Sequence, residues 1–198
     1  MMSDKQRLII GITGASGVIY GIRLLEVLQQ TDNTETHLIL SQAAKQTISA
    51  ETNYSLQAVK ALADYCYDVR DIGAAISSGS YRTLGMIILP CSIKTLSAVA
   101  HSYADDLITR AADVCLKERK PLVLCVRETP LHLGHLRLMT QVAEIGGQIV
   151  PLMPAFYHRP QKIEDIIDQS VNRLCDQFGI KLEQDLFTRW GENEQKSD

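Results

Sequence analysis

Residue types able to do chemistry collect in a few short stretches of this chain. Gly14-Ala15-Ser16-Gly17 follows an uncharged apolar run, residues 8–12, and precedes an amphipathic segment over residues 19–29. Strand, glycine turn and helix start together make an anion site, because free backbone N–H groups and the positive end of the helix dipole point at one spot. A phosphate on a nucleotide or flavin is the natural guest. The hydroxyls of Thr13 and Ser16 add donors that an empty turn does not need. The spacing spells neither the dinucleotide fingerprint nor a P-loop, since no Lys-Ser/Thr pair follows. Ser92-Ile93-Lys94-Thr95 brings hydroxyls, backbone donors and a cation to another helix start. It would grip a phosphate or the polar edge of a flavin ring, or serve as ordinary capping with Lys94 solvated. Arg127 stands straight after an apolar run, where its planar fork suits phosphate or a flavin carbonyl better than a salt bridge to Glu128.

Other candidates are weaker by residue type alone. Tyr157-His158-Arg159-Pro160 follows Pro151 and Pro154, so this aromatic loop is stiff; it suits an active-site wall or an oligomer contact. Arg173 reads on its own as a surface Arg whose stem lies along apolar surface. His132 and His135 have one-turn spacing, yet no acidic residue or Cys completes a ligand set, so no metal site is expected. Cys91, near a helix start, has no adjacent His and reads as a buried inert thiol rather than a nucleophile. There is no nucleophile elbow and no Ser-His-Asp order.

The elements that position these residues follow from hydrophobic periodicity. Strands are expected at residues 8–12, 37–40, 86–90, 122–126 and 148–152. Helices are expected at 19–29, 43–50, from the cap Ser55 through 64, after the cap Ser92, and at 105–117, 131–145 and 163–178. Residues 65–82 are the least regular region and hold the small polar loop Ser77-Ser78-Gly79-Ser80. Alternating strands and helices predict an α/β fold with a parallel sheet and right-handed crossovers. Ligands of such sheets sit at the carboxyl ends of the strands. Residues 14–16, Ser41, 92–95 and 127–130 each follow an expected strand, so four polar loops should line one edge.

The bulk composition limits the partners. A chain of 198 residues fits a single domain spanning 1–198, with a polar tail from about 191–198. Its 45% hydrophobic and 22% charged residues are ordinary globular values. A net charge of −3 gives no reason to expect nucleic acid or an anionic membrane as partner. No apolar run approaches the roughly 20 residues that span a bilayer, and residues 1–7 lack a signal-peptide layout. The five cysteines are scattered, with no zinc or redox spacing, so a reducing cytoplasm is the expected location.

Taken as an ordered set, several motifs resemble those of the UbiX-type flavin prenyltransferases. They are Gly14-Ala15-Ser16-Gly17, Pro90-Cys91-Ser92-Ile93-Lys94-Thr95-Leu96-Ser97, Arg110-Ala111-Ala112-Asp113-Val114, Lys117-Glu118-Arg119-Lys120-Pro121, Arg127-Glu128-Thr129-Pro130 and Phe156-Tyr157-His158-Arg159-Pro160. The resemblance covers residues 8–190 and is nearest to the branch associated with phenolic (hydroxyarylic) acid decarboxylases. It implies a three-layer flavodoxin-like Rossmann sandwich with a mostly parallel sheet, assembled as a homododecamer, with FMN at the interface between chains. It implies transfer of a dimethylallyl group from dimethylallyl phosphate to N5 and C6 of reduced FMN. The product, prenylated FMN, would serve a UbiD-type decarboxylase, and no metal is required.

Carried residue by residue, the resemblance gives Gly14, Ala15, Ser16 and Ser41 to the FMN phosphate, and Ser92, Ile93, Lys94 and Thr95 to the flavin. It shares Arg127 between flavin and substrate. Lys117, Tyr157 and Arg173 go to dimethylallyl phosphate, with Ser78 (or Ser80) from the Ser-Gly-Ser loop. Glu51 and Ser16 go to proton handling, and Trp190 to the prenyl group beside Tyr157. A phosphate leaving group accounts for so many cations, because each stabilises the charge that develops on it. Aromatic faces steady an allylic cation without trapping it covalently. Two other activities share such a fold: direct flavin-dependent decarboxylation of an aromatic or peptidyl-cysteine acid, and a non-catalytic FMN-binding component of a decarboxylase.

Overall fold

The computed structural model describes residues 5–191. Strands β1 (Gln6–Ile12), β2 (Thr34–Leu40), β3 (Tyr65–Tyr67), β4 (Gly85–Cys91), β5 (Leu122–Val126) and β6 (Gln148–Ile149) form one sheet. Their order is β3-β2-β1-β4-β5-β6, and every neighbouring pair is parallel. Without β3 the sheet has the flavodoxin order; β3 extends it at one edge. The helices are α1 (Val18–Gln29), α2 (Gln42–Glu51), α3 (Leu56–Ala61), α4 (Ile93–Ala100), α5 (Leu107–Lys117), α6 (Leu133–Glu144) and α7 (Ile163–Gln177). None of them is long and apolar enough to cross a membrane.

The central strands are apolar throughout because both their faces are covered. Alternation sends Leu8, Ile10, Ile12, Leu38, Leu40, Ile87, Leu89, Val123 and Cys125 to one face, under α1, α2, α3 and α7. It sends Ile9, Ile39, Met86, Ile88, Leu122, Leu124 and Val126 to the other, under α4, α5 and α6. This is the expected three-layer sandwich, and α5 and α7 lie on opposite faces of the sheet.

Several boundaries differ from expectation for local reasons. Strand β3 was not expected: it is three residues long, at an edge, with Tyr65 and Cys66 exposed, so it has no apolar signature. Strand β6 stops at Ile149 rather than 152; Val150 still donates to Leu124, and Pro151 has no N–H to continue. Helix α3 stops at Ala61 rather than 64. Asp64 is instead drawn to β2, where its carboxylate accepts the Thr36 N–H and hydroxyl and its own N–H donates to Thr36 Oγ1. Helix α6 begins at Leu133, because His132 caps it: the ring Nδ1 accepts from the N–H groups of Gly134 and His135.

Candidate active site

The switch between β1 and β4, where the chain leaves the sheet in opposite directions, is built around Thr13. This side chain is 1% exposed. Its hydroxyl donates to the Pro90 carbonyl at 2.7 Å and accepts from the Ser92 N–H at 2.8 Å. Its own N–H donates to the same carbonyl at 3.2 Å. The glycine turn after β1 and the serine turn after β4 are thereby pinned together. On the other side, the Ser41 N–H donates to Ile12, tying the end of β2 to β1.

Three helices start at this rim. Gly17 takes φ 96°, a left-handed turn that glycine adopts cheaply, and α1 begins one residue later with no side-chain cap. Ser41 caps α2 through the Ala44 N–H at 3.0 Å, and Ser92 caps α4 through the Thr95 N–H. A Cβ on Gly14 would lie 2.3 Å from the Cβ of Ala43, so only glycine lets the first turn of α2 close on the loop. The amides of Gly14, Ala15 and Ser16 have no hydrogen-bond acceptor among the described residues. Convergent helix starts and free amides suit a phosphate group. Glu51, at the far end of α2, reaches back so that its Oε2 accepts the Gly17 N–H at 2.9 Å. A carboxylate is therefore held on the residue that follows Ser16.

The flavin-side candidates share the same rim. Arg127 follows β5, and its N–H donates to Cys91 across the β4 end. Glu128 does not pair with it but accepts the Thr129 N–H at 3.0 Å, and Arg127 carries no ion pair among the described residues. Its guanidinium can thus serve an anion or a ring carbonyl. Lys94 is largely exposed and lies 3.8 Å from Asp105. Cys91 is buried beside Cys125, and burial pushes its thiol far above the ordinary range, so it is no nucleophile.

The remaining candidates form two further groups. Ser78 and Ser80 share a hydrogen bond, 2.9 Å between hydroxyls. A Cβ on Gly79 would come within 2.8 Å of Lys117 Nζ, so this loop and the end of α5 touch. Lys117 pairs with Glu118, and Lys120 reaches Tyr81. The group lies at the start of β5, at the end of the sheet opposite the rim. The second group is carried by α7. Tyr157 meets Trp190 edge-on, 5.7 Å between centroids, and contacts His158 and Phe187 in the same manner. Residues 157–159 and 188–191 line a cleft of about 400 Å³. Arg173 is exposed and pairs with Asp176, whose carboxylate also takes the Arg189 guanidinium at 2.9 Å through both oxygens. The Arg189 contact, with Arg173 adding to it, holds Asp176 well below the usual carboxylate range.

Within one chain, then, the rim gathers Gly14, Ala15, Ser16, Ser41, Glu51, Ser92, Ile93, Lys94, Thr95 and Arg127. Ser78 and Lys117 lie at the opposite end of the sheet, and Tyr157, Arg173 and Trp190 form a separate group on and beside α7. Lys117 and Arg173 stand on opposite faces of the sheet, so one chain does not present both to one small ligand. Two residues of the aromatic corner, Gln169 and Phe187, carried no sequence signal beyond a polar residue among the apolar positions of α7. The polar tail lies outside the described residues beyond Gly191.

The family model described as Flavoprotein matches residues 1–174. The chain is 69% identical to the flavin prenyltransferase UbiX of Escherichia coli K12 over 185 residues, 93% of this chain and 98% of the relative. Among solved structures it is similar to AnUbiX in complex with FMN and dimethylallyl pyrophosphate. That likeness has a TM-score of 0.89 and 48% identity, covering 94% of this chain and 97% of the other. It is also similar to a dodecameric FMN-dependent UbiX-like decarboxylase from Escherichia coli O157:H7. There the TM-score is 0.88 and the identity 49%, covering 90% of this chain and 98% of the other.

Proposed function

The chain belongs to the Flavoprotein family, among the UbiX-type flavin prenyltransferases, and from that premise we propose how its residues divide the work of joining a dimethylallyl group to reduced FMN. The observation that carries the reading is the rim: α1, α2 and α4 start at this edge, and Arg127 follows β5 at the same edge; among the described residues the amides of residues 14–16 have no acceptor and Arg127 has no ion pair. Gly14, Ala15, Ser16 and Ser41 hold the FMN phosphate. Ser92, Ile93, Lys94, Thr95 and Arg127 meet the flavin ring. Bound there, reduced FMN supplies the nucleophilic N5 and C6.

Dimethylallyl phosphate lies beside the ring. Breaking its allylic C–O bond leaves phosphate, and Lys117, Arg127 and Arg173, with the Ser78 hydroxyl, stabilise the growing negative charge. Tyr157 donates to a phosphate oxygen. Tyr157 and Trp190 present ring faces and edges to the allylic fragment, which they stabilise without bonding to it. Excluding water from the assembled site keeps it from quenching that fragment. Glu51, fixed on the Gly17 N–H, accepts a proton by way of Ser16, and the departing phosphate is a second base.

Because the sheet separates α5 from α7, the full set of cations requires more than one chain. Lys117 and the Ser78 loop come from one copy and Arg173 from another, in a homo-oligomer, as in the dodecameric relative. The product serves a UbiD-type decarboxylase. The test is to incubate the purified protein with reduced FMN and dimethylallyl phosphate and to look for the mass of prenylated FMN. Release of CO2 from a hydroxybenzoate by this protein alone would point instead to direct decarboxylation. FMN binding without phosphate release would point to a non-catalytic flavin carrier.

A further inference from the structure

Gln169 sits in the middle of α7 and is 7% exposed. Buried with it on the same helix are the apolar Ile167, Val171, Leu174 and Cys175 and the polar Ser170 and Asn172. A primary amide in such a place is costly unless its hydrogen bonds are made. Gln169 makes one to a residue twelve positions earlier: Nε2 donates to the phenolic oxygen of Tyr157 at 3.2 Å. The Tyr157 ring is held edge-on by Trp190 at 5.7 Å and by His158 at 5.6 Å, so its hydroxyl has little freedom to move.

The hydrogen count gives this contact a direction. A phenol has one hydrogen to donate, and its oxygen accepts. While the Gln169 amide donates to that oxygen, the Tyr157 hydrogen cannot be spent on Gln169. No other acceptor for it is found among the described residues. Tyr157 is 43% exposed, so the hydrogen is directed to the open side of the ring. We propose that Gln169 is a positioning residue for the prenyl donor: by donating to the Tyr157 oxygen it aims the Tyr157 hydrogen at a phosphate oxygen of the allylic ester. This rests on the reading of Tyr157 as a phosphate contact.

Gln169 belongs to a ridge. Asn172 and Asp176 follow it at spacings that share one side of a helix. Asn172 Oδ1 accepts the Leu186 N–H at 2.8 Å, and Asp176 grips Arg189, next to Trp190. Those two bonds fasten backbone and guanidinium, whereas Gln169 fastens only a hydroxyl. That distinction separates a positioning role from simple loop anchoring.

The test compares Gln169→Glu, Gln169→Met and Tyr157→Phe, together with the two double variants. Turnover is measured with reduced FMN and dimethylallyl phosphate at pH 8, alongside FMN affinity and Tm. Gln169→Glu replaces the donor with an acceptor of the same shape, which draws the phenol hydrogen back. The KM for dimethylallyl phosphate should rise about tenfold, with kcat changed less than about twofold and FMN affinity unchanged. Gln169→Met removes the donor at constant volume and should raise KM about threefold. In the Tyr157→Phe background neither substitution should add to the effect. A Gln169→Glu enzyme with unchanged KM, or an effect that persists in the Tyr157→Phe background, overturns the proposal. Tyr157→Phe with unchanged KM overturns the reading of Tyr157 itself, and the proposal with it. Should Gln169→Glu fail to fold, the Gln169→Met comparison with and without the phenol decides alone.

Discussion

Removing the hydroxyl of Thr13 at constant shape should loosen the rim. In Thr13→Val the Ser92 N–H loses its acceptor at 2.8 Å and the Pro90 carbonyl loses its shorter donor at 2.7 Å. The carbonyl keeps the Thr13 N–H at 3.2 Å, so it is weakened rather than orphaned. A buried donor left without a partner costs about 1–3 kcal/mol, and a lost neutral hydrogen bond about 1 kcal/mol net. Together the expected loss is about 2–4 kcal/mol. For a chain of this length each kcal/mol shifts Tm by about 2–4 °C, which gives a fall of about 4–16 °C. The same bonds register the β1 turn against the β4 turn, so FMN should bind about tenfold more weakly, an effect of about 1.4 kcal/mol. Thermal unfolding at fixed protein concentration and FMN fluorescence titration read the two effects, with Thr13→Ser as the control that keeps the hydroxyl. If Thr13→Val melts with the wild type, or if Thr13→Ser falls as far as Thr13→Val, the hydroxyl does not join the turns and the reasoning is refuted.

Other outcomes follow from features already described. His37 is buried on β2 between Glu35 and Tyr67, and burial pushes its imidazole below the ordinary value despite the upward pull of Glu35. The unfolded chain then binds a proton below about pH 6.5 while the folded chain does not. Stability should be full above that pH and fall as the pH drops below it, and His37→Gln should flatten the slope in urea titrations at pH 5–7; an unchanged slope would assign the loss elsewhere. Lys117→Ala and Arg173→Ala should each cripple turnover while FMN still binds. If the two cations of a site come from different copies, an equal mixture of the two variants reassembled together restores both in one site of four, about a quarter of wild-type activity; no recovery would put both cations on one chain. Burial pushes the thiols of Cys115 and Cys175 up to about 12 and those of Cys91 and Cys125 higher still. One thiol per chain, Cys66, should react with a neutral disulfide reagent under native conditions, and Cys66→Ser should abolish the labelling.

The sheet was legible because its central strands leave little choice. Runs such as Ile87-Ile88-Leu89 are apolar on both faces, and only a strand covered on both sides tolerates that. The rim was legible for the same reason: once the strands are placed, the turns at Gly14 and Ser92 and the start of the loop at Arg127 must share an edge. Strand β3 was hidden because an edge strand of three residues needs no apolar pattern. The Thr13 hydroxyl could be noticed in the sequence, but its service to Pro90 and Ser92, 77 and 79 residues away, depends on a fold that no local window encodes. The separation of Lys117 from Arg173 was equally invisible. A resemblance assigns both to one ligand, and only the packing of α5 and α7 on opposite faces of the sheet separates them, which is the ground for proposing a site shared by two chains.

If Lys117 and Arg173 serve a single phosphate, as proposed, the sheet standing between them also ties turnover to chain concentration. On that proposal a chain alone lacks one of the three cations, Lys117 or Arg173, that would loosen the allylic ester. Diluted below the dissociation threshold of the assembly, the protein should stop making product. The packing of two helices on opposite faces would thus make assembly itself the on-switch, leaving a chain silent until it has found its neighbours.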